Sequence, residues 1–540
     1  MTGFVSPTGL DRLRSQTYED QRLMVLVRVC LLLLFSIFSE QSADAQKNPA
    51  QPKKLPSAEK ITDNYLTAIG GKKLIASVKD ATYEWIIELK GQTLGTARSQ
   101  RKQPASVRWE MNFGNGRIIS ATSVSSAWEV GLDTQMRTLT GLDSATAKLR
   151  ASLDASRLAN YKKMNVLSRV VSVENHESEP AYIVEFATRS GARLQYYFSK
   201  KSGLITKVTD EFNKRQTWLE DYRPEQGMLE PHRIRMTLGD SGELTLLLQS
   251  VKYGTGPQDS VFDPPGSAES LDVAALLREV GKNQDEIEKR VTEYAFKQTE
   301  TDREISSKGE VKKETVKVYE VFPLPNREPV QKLISENGVA LSGERAAKEE
   351  KRVQEEFLKA ERDREKDERA VARRRVELEK KNKSAGREED DDPEISKFLK
   401  VCEFISVRRE RFAERDTIVF DFRPRAGFRP RNREESLIAK LVGTVWIAPD
   451  DKQVIRLEAR LAEGFKMAGG LLVSLKPGAA LVMEQKRMVE GVWLPRFAQV
   501  NLSVKVLLFG GGDYNKTIEW SEYKHFSGDV KDYKLDAPKP

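Results

Sequence analysis

A strict alternation of apolar and polar residues recurs along this chain of 540 residues. The segment 107–113 (VRWEMNF) shows it most clearly, and 83–89 (YEWIIEL) follows the same rule at all but one position. Because successive side chains of a strand point to opposite faces, this pattern predicts antiparallel sheets with one apolar face and one face in water. Comparable segments continue as far as residue 526, so the sequence predicts a chain built mostly of strands.

Helical spacing of apolar residues interrupts the strands at a few places. The first helix is expected to begin after Ser57, a residue type that caps helix N-termini, and to end at Gly70-Gly71. Further helices are predicted for 144–161, 267–293 and 395–403.

The segment 342–384 consists almost entirely of Glu, Lys, Arg and Ala, which predicts one long charged helix. Its few large apolar residues keep no heptad, so a true coiled coil is not expected. Charges of both signs are mixed along it. This favours a solvated helix, stabilised by pairs four residues apart, over an arm that binds nucleic acid.

One series of short motifs occurs twice in the chain. The segment 184–191 matches 420–427, 198–208 matches 447–457, and 220–231 matches 484–495. Three matches in the same order predict a tandem duplication of one β-rich domain. Gly191 and Gly427 are expected at hairpin corners, with Arg189 and Arg425 at a solvent-exposed rim.

The chain divides into a leader, a tether and two domains. Residues 1–45 predict a signal peptide, because a short apolar run ends at Ala43-x-Ala45, which has the form of a signal-peptidase site. An uncleaved anchor is the alternative, and either Met1 or Met24 is the translation start. Residues 46–56 predict a disordered tether. The two domains are expected at 57–266 and 267–540, the second containing the long helix and a flexible acidic joint at 385–393.

Few residues of the chain suit catalysis or metal binding. There are three histidines and two cysteines, and no common motif of hydrolases, zinc sites or nucleotide binding stands in a fitting context. Cys402 lies in an apolar run, so a buried structural thiol is expected there rather than a nucleophile. The sequence therefore predicts no cofactor and no metal, and an enzyme is the third of three functional hypotheses.

Several of these segments together resemble the bacterial outer-membrane lipoprotein-sorting (LolA-like) proteins. The resemblance runs through 68–72, Ala127-Trp128, 182–184, 197–200 and 221–231, with a looser second copy at 443–447 and 491–495. It implies an α+β fold of two tandem antiparallel β half-barrels, each plugged by helices, with the long charged helix in the second. It also implies an apolar cavity that takes acyl chains, in a protein exported to the periplasm or cell envelope.

Large apolar residues of the predicted strands are the candidates to line such a cavity. The predicted ligand-binding residues are Trp85, Trp109, Met111, Phe113, Trp128, Phe186, Tyr196, Phe198, Phe422, Trp446 and Ile447. These side chains would build a filled core equally well, so both interpretations stay open.

Two functional hypotheses lead. In the first, an exported carrier or chaperone binds lipid or lipoprotein acyl chains non-covalently, and the excess positive charge, formally +8, attracts anionic head groups. In the second, a structural or adaptor protein of the envelope has filled half-barrels and binds a protein partner through the charged helix. Neither involves nucleic acid, and no membrane span is expected once residues 1–45 are removed.

Overall fold

Two large antiparallel sheets form the frame of the computed structural model. It describes residues 55–176, 179–237, 242–266, 271–306, 308–324, 327–379, 393–467, 473–488, 491–506 and 510–525. The predicted signal peptide lies outside these residues, as do the tether up to residue 54 and the acidic joint up to residue 392.

Sheet 1 is built from the first thirteen strands. They are β1 Asp80–Leu89, β2 Gln92–Lys102, β3 Ser106–Phe113, β4 Gly116–Thr122, β5 Ala127–Val130, β6 Met136–Thr138, β7 Leu167–His176, β8 Glu179–Ala187, β9 Arg193–Ser199, β10 Ile205–Asp210, β11 Arg215–Glu225, β12 Met228–Thr237 and β13 Glu243–Tyr253. The spatial order is β6-β5-β4-β3-β2-β1-β13-β12-β11-β10-β9-β8-β7. The first strand therefore pairs with the last at the middle of the sheet, and β6 and β7 lie at its edges.

Sheet 2 contains the remaining strands. They are β14 Tyr294–Ile305, β15 Val311–Leu324, β16 Arg327–Glu336, β17 Val339–Ala340, β18 Cys402–Phe412, β19 Arg415–Pro424, β20 Leu441–Ala448, β21 Gln453–Leu461, β22 Phe465–Met467, β23 Val473–Leu475, β24 Ala480–Arg487, β25 Trp493–Val506 and β26 Gly510–His525. The main path runs β17-β16-β15-β14-β26-β25-β24-β21-β20-β19-β18. Again the first strand, β14, pairs with the last, β26.

The repeated motifs fall on strands at equivalent places in the two sheets. Residues 184–186 lie in β8 and 420–422 in β19, each the second strand after the helices that interrupt its sheet. Both glycines of the matched corners have left-handed backbone angles, with φ +96° at Gly191 and +75° at Gly427. The equivalent strand positions agree with the tandem duplication. Gly191 lies at the hairpin corner between β8 and β9, as expected, but the hairpin corner predicted at Gly427 is wrong, because the connection from β19 to β20 contains a short helix, Arg433–Ile438.

Helices cover one face of each sheet. They are α1 Ala58–Ala68, α2 Lys72–Ser77, α3 Gly141–Ala155, α4 Val273–Val291, α5 Gly343–Glu379, α6 Pro393–Val401 and α7 Arg433–Ile438. As expected, Ser57 caps α1, its hydroxyl accepting a hydrogen bond from the Lys60 amide. None of the helices in the described part of the chain combines the length and apolar character needed to cross a bilayer.

The two open sheets with their covering helices confirm the expected half-barrel architecture. Ile61 of α1 and Leu149 of α3 belong to the core cluster of Phe186 and Phe198 in sheet 1. In sheet 2, α4 and α6 contribute to the cluster that contains Phe420 and Phe422. The long charged helix is α5, and its Val353 and Phe357 pack against Val330 of β16.

Six elements were not expected from the sequence: the helices α2 and α7 and the strands β2, β6, β18 and β22. Strand β2 (QTLGTARSQRK) has few apolar residues, yet Ala97 and Ser99 are buried, and the Trp85 indole donates a hydrogen bond to the Ser99 hydroxyl (3.2 Å). Its small side chains leave room for the large ones of β1 and β3. The short helix α7 begins at Arg433, with the Asn432 side chain accepting from the Glu435 amide.

A buried polar network joins the two sheets. The Asp421 carboxylate of β19 accepts hydrogen bonds from Ser126 of sheet 1 and, within sheet 2, from Thr444 (3.1 Å) and Arg408 (3.2 Å). Arg408 also donates to Glu410 (2.6 Å), which in turn accepts from the amide and hydroxyl of Thr138 in β6 (2.8 and 2.6 Å). Edge strand β6 of sheet 1 is thereby fixed to edge strand β18 of sheet 2.

We expect Asp421→Ala to lower the free energy of unfolding by about 3–5 kcal/mol, because the buried Arg408 would lose one of its carboxylates. Asp421 is fully buried and Arg408 is 2% exposed, so water cannot replace the lost partner. Urea unfolding of the purified protein measures the change. Asp416→Ala, at an exposed position of the same strand, is the matched control and should change stability by no more than about 0.5 kcal/mol. Equal effects of the two variants would contradict the importance of the network.

Candidate functional site

A cleft of about 910 Å³ lies between the two sheets, and we call it the central cleft. Its wall on the sheet 1 side includes one face of α3, and its wall on the sheet 2 side includes β20, β21, β24 and β25. Apolar side chains from both sides line it: Leu142, Leu149, Met164, Val442, Leu481, Val482, Phe497 and Trp520. Its volume falls within the range of about 300–1,000 Å³ typical of small-molecule sites.

Helix α3 presents Ala145, Lys148, Leu149 and Ser152 to the cleft. These residues are three to four apart and so share one helical face. The helix begins beside sheet 2, where the Gly141 amide donates a long hydrogen bond (3.4 Å) to the Glu458 carboxylate of β21.

Strand β21 supplies the charged part of the opposite wall. Arg456, Glu458 and Arg460 lie two residues apart and line the cleft. Arg456 is buried and binds the carboxylates of both Glu458 (2.6 Å) and Glu484. Glu484 also accepts from Arg496 (3.1 Å). These four side chains form a balanced set of two cations and two anions.

Lys148 and Arg460 are not balanced in this way. Within the described residues, neither has a carboxylate at ion-pair distance, and the Arg460 guanidinium makes one hydrogen bond, to the Val124 carbonyl. The Arg460 Nε atom is buried without any partner. Burial lowers the pKa of Arg460 to about 10, and burial, partly offset by the charge of Glu458, lowers the pKa of Lys148.

A second contact between the sheets closes one side of the cleft. Arg189, at the hairpin corner after β8, forms an ion pair with Asp513 of β26 (2.7 Å), and its carbonyl accepts from Asn515 (3.1 Å). The prediction that Arg189 lies at a solvent-exposed rim is therefore wrong. Arg189 is only 9% exposed, because sheet 2 covers this corner. The same prediction is correct for Arg425, which is exposed.

The predicted ligand-binding residues of sheet 1 lie elsewhere. Phe186, Tyr196 and Phe198 are buried in the core shared with α1 and α3. Trp85, Trp109, Met111 and Phe113 belong to a second apolar cluster on β1 to β3, in which the two tryptophan rings are 6.0 Å apart. Trp109, Met111 and Phe113 are only partly buried. Trp128 is buried, and its indole donates to the Phe262 carbonyl (2.8 Å).

The three predicted residues of sheet 2 are also buried. Phe422 and Ile447 pack in the core with α4 and α6. Trp446 points the other way, and the guanidinium of Arg456 lies over its ring (5.9 Å). All eleven predicted residues are described, and none of them is among those lining the central cleft. Their role in ligand binding stays a prediction.

A polar cluster occupies part of the interior of the first half-barrel. The buried Glu230 carboxylate accepts from Tyr83 (3.0 Å), Tyr253 (2.9 Å) and Arg157 (2.9 Å). Burial alone would raise the pKa of Glu230, but the charges of Arg157 and Arg101 outweigh it and the pKa is lowered. This interior is therefore not uniformly apolar.

The described residues contain no group of His, Cys, Asp and Glu arranged to hold a metal ion. Burial raises the pKa of the Cys402 thiol to about 12, which keeps it protonated at neutral pH and unsuited to nucleophilic attack.

Sequence reasoning missed the cleft residues, although a signal was present. In 453–461 (QVIRLEARL), Arg456, Glu458 and Arg460 alternate with apolar residues, which is the pattern of a strand with one face in water. Nothing in this pattern distinguishes a face toward solvent from a face toward another sheet.

Comparisons with known proteins give fold-level likenesses. No protein-family model matches the chain, and no curated protein matches it. Three solved structures illustrate the structural matches. A LolA superfamily protein from Nitrosomonas europaea is 15% identical, with 39% of this chain and 98% of that chain covered and a TM-score of 0.28. A putative outer membrane lipoprotein-sorting protein domain from Vibrio parahaemolyticus is 12% identical, with coverages of 38% and 95% and a TM-score of 0.26. The MucA/MucB complex from Pseudomonas aeruginosa matches at 8% identity, over 85% of this chain and 94% of that chain, with a TM-score of 0.17.

Lipoprotein-sorting and LolA superfamily proteins are thus among the solved structures similar to this chain, as the sequence resemblance led us to expect.

Asp263, which pairs with Arg423 of sheet 2, couples the contact between the sheets to pH. Its carboxylate is 3.3 Å from Arg423 of β19, but Arg423 is held more closely by Glu403 (2.5 Å). Burial therefore prevails over pairing and raises the pKa of Asp263 to about 6, from an ordinary value of 3.8. The folded state binds the proton of Asp263 more tightly than the unfolded state does. The protonated carboxyl therefore stabilises the fold below about pH 4, and this stabilisation is lost as the pH rises through 6.

We expect Asp263→Asn to remove this contribution to the pH dependence. Between pH 4 and pH 7, the stability of the original protein should fall relative to that of the variant by on the order of 2–3 kcal/mol. Urea unfolding at several pH values measures the difference, and Asp416→Asn, at an exposed position of β19, controls for the loss of charge. Parallel profiles for the original protein and Asp263→Asn would contradict this assignment.

Proposed function

We propose that this protein is an exported carrier or chaperone that binds the acyl chain of a lipid or lipoprotein non-covalently, in the central cleft. One observation carries the proposal: a cleft of about 910 Å³ between the sheets is lined on both sides by apolar side chains. Burying an acyl chain there would contribute about 0.8 kcal/mol for each CH₂ removed from water, less the cost of ordering chain and protein.

The location of the cleft suits a protein that takes up and releases cargo. Its walls come from different sheets, so a small change in their separation would open or close it without unfolding either core. The half-barrel interiors are less suitable, because helices and the Glu230 cluster already occupy them. The aromatic residues predicted from sequence remain a second proposed seat, of which Trp109, Met111 and Phe113 are the most accessible.

A fluorescent fatty acid titrated into the purified protein tests both seats. We expect Val482→Trp to weaken binding at least tenfold, because the larger ring would occupy part of the cleft. Val339→Trp introduces the same ring at a 70% exposed position and should bind normally. If the acyl chain of the fatty acid instead occupies the first half-barrel, Trp109→Ala will weaken binding and Val482→Trp will not.

Mass spectrometry of organic extracts of the purified protein provides an independent check. Absence of any co-purifying lipid, together with no binding of the fluorescent fatty acid, would contradict the carrier function. Cell fractionation tests export separately, since the carrier should appear outside the cytoplasm and lack residues 1–45.

One observation favours the second candidate, an envelope adaptor. Helix α5 contacts the body of the protein through Val353 and Phe357, while Leu358 beside them is 55% exposed. An exposed leucine on a charged helix offers an anchor to a protein partner. If that is the main function, the original protein will bind no fatty acid, and Leu358→Glu will abolish its binding to the partner protein.

A further inference from the structure

We propose that Lys148 and Arg460 form a binding site for an anionic head group, a carboxylate or phosphate, of the amphiphile whose chain occupies the central cleft. This inference rests on the proposed function, and it defines the class of lipid rather than the presence of one.

The charges lining the cleft do not cancel. Five basic side chains line it, namely Lys148, Arg189, Arg456, Arg460 and Arg496, against the acidic Glu458, Glu484 and Glu519. The ion pairs described above account for Arg189, Arg456 and Arg496 together with Glu458 and Glu484. Glu519 is exposed and is not among the charges acting most strongly on Lys148. Lys148 and Arg460 are the two cations left over.

Both cations have unused hydrogen-bonding capacity. An ammonium has three donors and a guanidinium five, and only one contact, to the Val124 carbonyl, is made by Arg460. The Arg460 Nε–H is buried with no acceptor, so this donor is unsatisfied among the described residues. Both residues line the central cleft, where the acceptor of a ligand would be bound.

The two cations come from opposite walls. Lys148 projects from α3 on the sheet 1 side and Arg460 from β21 of sheet 2, and each acts electrostatically on the other. An anion between them would offset this repulsion and the loss of water around both charges. Burial lowers the pKa of both Lys148 and Arg460, and for Arg460 no nearby charge offsets that effect. The bound anion would also link the two sheets, so cargo binding and closure of the cleft would be coupled.

Four probes titrated into the purified full chain test the site: palmitate, lysophosphatidic acid, hexadecanol and inorganic phosphate. We expect palmitate or lysophosphatidic acid to bind at least tenfold more tightly than hexadecanol, which has a chain but no charge. Lys148→Gln should weaken binding of the anionic amphiphiles about tenfold and leave hexadecanol binding unchanged. Lys148→Arg keeps the charge and should retain most of the affinity.

Lys60→Gln is the matched control, because it removes the same charge from an exposed lysine of α1 and should alter no affinity. Arg460→Gln provides a second variant if Lys148→Gln fails to fold, and it should also weaken the anionic probes selectively.

The outcomes separate the two proposals. Equal binding of all three chain-bearing probes would overturn the anionic site and leave the acyl-chain function standing. Binding of inorganic phosphate as tight as that of lysophosphatidic acid would support the anionic site but assign it to free phosphate, against the acyl-chain function. Failure of every probe to bind would overturn both.

Discussion

The Asp421 carboxylate lies fully buried where the two sheets meet, and the geometry of the central cleft depends on it. A buried carboxylate is stable only with cations and hydrogen-bond donors around it. Its donors here come from both sides: Ser126 belongs to sheet 1, and Arg408 and Thr444 to sheet 2. Because hydrogen bonds are short and directional, satisfying this charge fixes the sheets in one relative position. The Arg189–Asp513 ion pair joins the two sheets at a second place, and the cleft is the space between these two contacts.

This arrangement places the proposed ligand site where the half-barrels face each other rather than inside them. The apolar faces of both sheets are already covered, by α1 and α3 in sheet 1 and by α4 and α6 in sheet 2. The opposite face of β19 and β21 carries Asp421, Arg456 and Arg460, and it is covered by the other half of the molecule. A cleft formed in this way is partly charged, which is why its expected ligand is an amphiphile instead of a plain hydrocarbon.

Much of the architecture could be predicted from local rules. Alternation at 107–113 predicted β3, and Ser57 marked the start of α1. Strand β2 could not be found in this way, because its buried positions hold small residues that leave room for the tryptophan side chains of the neighbouring strands. The candidate site was even less accessible to prediction. Lys148, Arg456 and Arg460 are residue types that normally face water, and no local pattern marks them as buried.

The sequence by itself predicted most strands of the two sheets and most of their covering helices, because strand and helix periodicity depends on neighbouring residues alone. It also marked which face of each strand is apolar. Only the tertiary structure decided what the polar faces contact. The alternation Arg456-Leu457-Glu458-Ala459-Arg460 is identical whether its charges face solvent or another sheet. The difference arises from contacts between residues some 300 positions apart, such as Ser126 with Asp421, and these depend on the shape of the whole molecule.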